Sequence, residues 1–164
     1  MAFVECDLGR RLSLDQPVDA VFSTATFHWV PDHSALFENL AAVLGPGGRL
    51  VAQCGGAGNI ASVRRVVAGL GETWPGPWTF ATAEETATRL AASGFIEVET
   101  WLHEEPTPIP PGEPIETFLA TVILRSHLDR MPEEERAEFV TRVADGLPEP
   151  QIDYVRLNIT GRRA

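Results

Sequence analysis

The sequence contains no lysine: all thirteen of its basic residues are arginine, set against 23 acidic ones, for a formal net charge of −10. An acidic chain without a basic stripe is poorly suited to gripping nucleic-acid phosphates or an anionic membrane surface. A small molecule or another protein is therefore the expected partner. Long apolar runs are also missing. No stretch approaches the roughly 18 residues that a membrane-spanning helix needs. The opening residues lack the charged and apolar regions of a secretory signal. Cysteine is scarce, with only Cys6 and Cys54. Each lies in an apolar, strand-like run, where a small buried thiol is the ordinary reading. These absences together lead to the expectation of a cytoplasmic location. No serine sits in a Gly-x-Ser-x-Gly elbow, so a nucleophile of that kind is excluded. His28, Asp32 and His33 fit no established ligand spacing, and no metal site is expected.

What is present is an alternation of strand-like and helix-like segments. Phe3 to Cys6 is a short strand-like run ending at Asp7. Val18 to Ser23 is a mostly apolar run of strand length. Asp32 then stands as N-cap to a helix with Leu36, Phe37, Leu40, Ala41 and Leu44 on one face. Gly45-Pro46-Gly47-Gly48 ends that helix, and Arg49 to Cys54 is the next strand. Asn59 is placed to cap a helix carrying Val63, Val66, Val67 and Leu70. A loop from Gly71 to Phe80 holds Trp74 and Trp78. Thr82 and Glu85 form a capping box for a helix that ends at Gly94. Ile96 and Val98 open a half-exposed strand.

The Pro-rich connector Pro106 to Pro114 follows, then helices around Ile115 to Leu128 and Pro132 to Ala144. Glu133, Glu134 and Glu135 sit at the positive end of the second. A last strand runs from Tyr154 to Thr160. Strands alternating with helices predict an α/β fold, with a mainly parallel sheet and helices on both faces. Ligands of such sheets bind beyond the carboxyl ends of the strands. That points to Asp7, to Ser23 through Trp29, and to Cys54 through Asn59.

Three stretches resemble class I S-adenosylmethionine-dependent methyltransferases, and most closely their trans-aconitate methyltransferase-like branch. Val18-Asp19-Ala20-Val21-Phe22-Ser23-Thr24-Ala25-Thr26-Phe27-His28-Trp29-Val30 resembles the family's fourth strand and following loop. Leu44-Gly45-Pro46-Gly47-Gly48-Arg49-Leu50-Val51 resembles the turn into the fifth. Gly94-Phe95-Ile96-Glu97-Val98 resembles the start of the sixth, and Asp153 to Leu157 fits a seventh that runs antiparallel.

The resemblance implies an incomplete Rossmann-like sheet and a single domain over 1–164, truncated at its N-terminus and lacking the glycine-rich cofactor motif. Residues 105–150 would then be cap or connector helices within it. It implies S-adenosyl-L-methionine as cofactor, with Asp7, Leu8, Ser23 and Thr24 on the cofactor side. His28 is implied as the catalytic candidate, with Trp29 and Arg156 toward a small-molecule acceptor, in one reading a carboxylate. Asp7 as a surface-turn aspartate, His28 as a helix-entry residue, Trp29 as packing, and Arg156 as the partner of a glutamate, are the plainer alternatives.

Two rivals stand beside this reading. Gly56-Ala57-Gly58-Asn59-Ile60-Ala61 matches a dinucleotide fingerprint. That fingerprint calls for a strand ending in an acidic residue about 20 positions on, and Gly71 to Trp78 is a loop instead. The other rival is a methyltransferase-derived module that catalyses nothing, or one part of a split enzyme. Its Val18–Ser23 strand would be an apolar edge, inviting a second copy or a complementing N-terminal polypeptide.

Overall fold

The protein, seen in a computed structural model, is described over residues 3–110 and 114–164. Pro111 to Glu113 of the Pro-rich connector lie outside the described residues. Four strands make one sheet: β1 (Val18–Thr24), β2 (Leu44–Gly55), β3 (Phe95–Pro108) and β4 (Gln151–Arg163), in the order β1-β2-β4-β3. β1 runs parallel to β2, with Phe22 opposite Val51 and Thr24 opposite Gln53. β4 runs antiparallel to β2, with Arg156 opposite Gly55. The expected antiparallel last strand is present. The mainly parallel sheet is not: this sheet is mixed, because its parallel pairing is β1–β2 and β4 enters between β2 and β3 in the reverse direction.

The chain gathers into two compact units. The first holds residues 1–57, 78–103 and 155–164. Its helices are α1 (His33–Val43) and α3 (Ala83–Ala92). Asp32 caps α1, its Oδ1 accepting from Ser34 N–H at 2.9 Å and Ala35 N–H at 3.0 Å. Thr82 and Glu85 complete the expected capping box of α3. Leu36, Phe37 and Leu40 of α1 and Leu90 of α3 join Leu50, Ala52, Cys54, Leu157 and Ile159 of the sheet in one apolar core. The other face of the sheet stays exposed, at Ala20, Phe22, Arg49, Val51 and Gln53. Helices on both faces were expected; in this unit the core sits on one.

Two further expectations fail at the start of the chain. Phe3 to Cys6 is not a strand, and these residues are exposed. A strand needs a hydrogen-bonding neighbour, and β1 at the sheet's edge pairs with β2 alone among the described strands. Cys6 is accordingly exposed, whereas Cys54 is buried as expected.

The second unit holds residues 58–77 and 104–154. Here α2 (Ala61–Gly69) begins after Ile60, not Asn59, with Ile60 in a left-handed conformation at φ 50°. Its cap comes from far along the chain. Asp153 Oδ2 accepts from Ser62 N–H at 2.8 Å and Oδ1 from Ser62 Oγ–H at 2.5 Å. A carboxylate at a helix N-terminus is favourable both as acceptor and against the helix dipole. The expected helix over Ile115–Leu128 is interrupted: α4 (Ile115–Phe118), a π turn (Leu119–Ile123) and α5 (Arg125–Leu128). The last helix, α6 (Glu133–Gly146), packs Gly146 onto Val66 of α2. Trp74 lies between His127, 4.8 Å away between ring centroids, and the Arg130 guanidinium, 4.4 Å from its ring.

Candidate functional site

The carboxyl end of β1 is drawn into a tight corner. Ala25 takes a left-handed φ of 53°, a conformation that a residue bearing a Cβ rarely adopts. It is held there because its N–H donates to Gln53 O at 2.8 Å. Thr26 Oγ1 donates to Thr24 O at 2.9 Å, and Phe27 to Trp29 form a 3₁₀ turn. Phe27 is buried edge-on against Phe37, with ring centroids 6.0 Å apart. His33 Nε2 lies 3.0 Å from Phe27 O and so carries the proton, while its buried Nδ1 has no partner among the described residues. The turn is thereby pinned to α1, and it presents His28 and Trp29 at the sheet edge.

His28 is fixed in turn by the end of β2. Gly55 N–H donates to His28 Nδ1 at 3.1 Å, and His28 O accepts from Thr79 N–H at 2.8 Å. With Nδ1 used as acceptor, the neutral ring holds its proton on Nε2. Burial, then the nearby charges of Arg156 and His33, push the His28 pKa down to about 4. At neutral pH this imidazole is an uncharged hydrogen-bond donor and a feeble base.

Around it stands a closed circuit of rings. His28 is 5.2 Å from Trp29 and 5.8 Å from Phe80; Trp78 is 6.0 Å from Trp29 and 5.8 Å from Phe80, nearly parallel to the latter. Trp29 remains 46% exposed. Sequence reasoning missed Trp78 and Phe80 as members of the site. Two tryptophans in a Gly/Pro-rich loop were the available signal, but nothing local said which of them would reach His28.

Ser23, Thr24, His28, Trp29 and Arg156 are thus brought to one edge, Arg156 lying opposite Gly55 at the end of β2. Asp7 and Leu8 are placed differently. The Asp7 carboxylate accepts from Gly9 N–H at 2.9 Å and meets Arg10 Nε at 3.3 Å, within its own exposed turn. Leu8 packs against the core, and its carbonyl accepts from Asn39 at 3.3 Å. Asp7, the carboxylate that the resemblance assigns to the adenine, is in this structure an exposed residue of its own turn. No group of three or more metal-ligating side chains occurs among the described residues, and no helix there is long and apolar enough to cross a membrane.

The methyltransferase domain family matches residues 1–52. Trans-aconitate 2-methyltransferase of Rhizobium leguminosarum bv. trifolii is 46% identical over 52 residues, covering 32% of this chain and 20% of that protein. The enzyme of the same name from Klebsiella pneumoniae is 28% identical over 150 residues, 90% of this chain and 58% of its own length. The chain thus spans little more than half of the longer of these matches. Among solved structures, phosphoethanolamine N-methyltransferase 2 of Haemonchus contortus, in complex with S-adenosylhomocysteine, superposes with a TM-score of 0.55 at 16% identity. That match covers 96% of this chain and 36% of the other. At such identity the likeness speaks for the fold alone. The sequence matches and the fold agree in what this chain is similar to: residues 1–52 match the methyltransferase domain family, and the likeness to trans-aconitate 2-methyltransferases extends over 90% of the chain.

Proposed function

We propose that the β1–β2 edge is the acceptor side of a methyltransferase centre, and that its acceptor is a small carboxylate-bearing molecule. The observation that carries this reading is the state of His28. Its Nδ1 is taken by Gly55 N–H, leaving Nε2–H as a neutral donor inside an aromatic wall and close to Arg156. A histidine with a pKa of about 4 is ill suited to deprotonating an alcohol or amine at neutral pH. A carboxylate needs no such help, since it is already ionised there.

S-adenosylmethionine, when bound, supplies the methyl group. The chain's own work is then to hold the acceptor: Arg156 opposite its charge, His28 Nε2–H on an oxygen, and the rings of Trp29, Trp78 and Phe80 excluding water around it. The names of the Rhizobium and Klebsiella relatives support the same acceptor class, aconitate being an unsaturated tricarboxylate. A second reading is favoured by the Asp7 carboxylate, held in its own turn, and by β1, whose outer edge meets no strand among the described residues. In it, the chain completes its cofactor site only with a complementing polypeptide.

Isothermal titration of the purified 164-residue chain separates the readings. One-to-one binding of S-adenosylhomocysteine, together with trans-aconitate binding that Arg156→Lys weakens by about tenfold, is the expected result, since a bidentate clamp does not survive that exchange. A folded chain that binds trans-aconitate alone supports the complemented form. Silence toward both compounds overturns the proposal.

A further inference from the structure

The sheet has one covered face and one bare face, and the bare face has the composition of an interface. Alternation places Phe22, Val51 and Thr160 in one cross-strand row, flanked by the rows Ala20–Arg49–Arg162 and Thr24–Gln53–Asn158. On β3, Thr100 turns its hydroxyl to Ala83 O on the helix side at 2.8 Å, so Glu99 and Trp101 point the opposite way. Phe22 is 78% exposed, Trp101 47% and Val51 45%. Phe22 and Val51, paired across β1 and β2 and both open to water, with Trp101 on the same face at β3, are the kind of exposed apolar groups that mark a contact surface. Phenylalanine, tryptophan and arginine are also the residues enriched at the centres of such surfaces.

We propose that this face is closed by a second copy of the chain, packed sheet on sheet about a two-fold axis. The charges select that occupant. The chain as a whole carries −10, so most of its surface repels another copy. The bare face does not. A groove of about 310 Å³ crosses it, lined by Arg49, Val51, Glu97, Glu99, Thr160 and Arg162, two positive charges against two negative. An isologous contact requires a patch that complements itself. Arg162 already leans toward Glu97 at 3.7 Å, which leaves Arg49 of one copy to meet Glu99 of the other. Phe22 and Val51 supply the apolar centre, and the Gln53–Asn158 hydrogen bond at 2.9 Å leaves that row satisfied before any partner arrives.

Sedimentation equilibrium over a concentration series tests this on the chain as it is. The wild type is expected to show the mass of two chains, and Phe22→Glu the mass of one with an unchanged far-ultraviolet spectrum. Arg49→Glu should weaken association by at least about tenfold. Adding Glu99→Arg to Arg49→Glu should restore it, a recovery that no general loss of folding can imitate. A wild type that stays monomeric at every concentration overturns the proposal. So does an oligomer that ignores Phe22→Glu but is broken by Val21→Pro, since that places the contact on the edge of β1 instead of the face.

Discussion

Within β2, neighbouring residues live in different solvents. Leu50, Ala52 and Cys54 are almost wholly buried, while Arg49, Val51 and Gln53, one step away each, are exposed. β4 repeats the pattern, with Leu157, Ile159 and Gly161 inside and Asn158, Thr160 and Arg162 less covered. The difference between the two faces is that α1 and α3 lie on one of them. Helix packing, not strand composition, decides which apolar residue of the sheet contributes to stability.

Truncating the two faces in turn breaks this comparison most sharply. Leu50→Ala removes a fully buried side chain from beneath α1 and α3, and should cost about 3 kcal/mol. Val51→Ala, 45% exposed and adjacent, should cost less than about 1 kcal/mol. Urea denaturation of both variants, at a concentration where the chain is monomeric, checks the pair. Equal losses would mean that the bare face is covered within a single chain.

Much of the covered side was legible in the sequence because its signals are local. The Asp32 cap, the Thr82–Glu85 capping box and the 3.6-residue face of α1 are each written within about a turn or two of helix, and each is present. The bare face was not legible. Val18 to Ser23 reads as a buried run, because Phe22 and Val21 look alike in sequence although they point to opposite sides. Arg49 to Cys54 alternates, but Val51 blurs the alternation with an apolar residue on the open side. Phe3 to Cys6 has the residues of a strand without a neighbour to pair with.

The candidate site divides in the same way. Ser23 to Trp29 was readable as a strand end and its loop. The contributions of Trp78 and Phe80 come from roughly 50 residues further on, and the α2 cap from Asp153 spans 91 positions. Spacing in the chain cannot announce such partners.

Acid should bear harder on the covered side. Burial, ahead of all other causes, holds the pKa of both His28 and His33 below the ordinary imidazole value, His28 down to about 4. The fold therefore refuses protons that the unfolded chain accepts. Stability from this source is complete above about pH 6.5 and is lost as pH falls toward 4. For His28 the loss should be on the order of 2 kcal/mol, discounted because the ring is only partly buried. Unfolding midpoints measured from pH 7 to pH 4 should drop, and His28→Gln should flatten part of that slope. An identical slope in the variant would remove His28 as a cause.

The smallest effect sets two adjacent arginines against each other. Arg163 lies on the covered side, where Nε donates to Ala41 O at 3.2 Å and Nη1 to Gly94 O at 3.1 Å. These bonds satisfy a carbonyl near the end of α1 and another at the turn into β3, where Gly94 takes a φ of 84°. Arg162 lies on the bare side, with a 3.4 Å contact to Gly47 O and an exposed pairing to Glu97. A charged donor shared by two carbonyls that are partly shielded from water should be worth about 1–2 kcal/mol, whereas an exposed ion pair contributes well under 1 kcal/mol. In the monomer, Arg163→Ala should therefore lower the unfolding midpoint clearly and Arg162→Ala hardly at all. In the associated state the order of concern reverses, because Arg162 borders the proposed contact. One pair of neighbours thus reports on stability through one face and on association through the other.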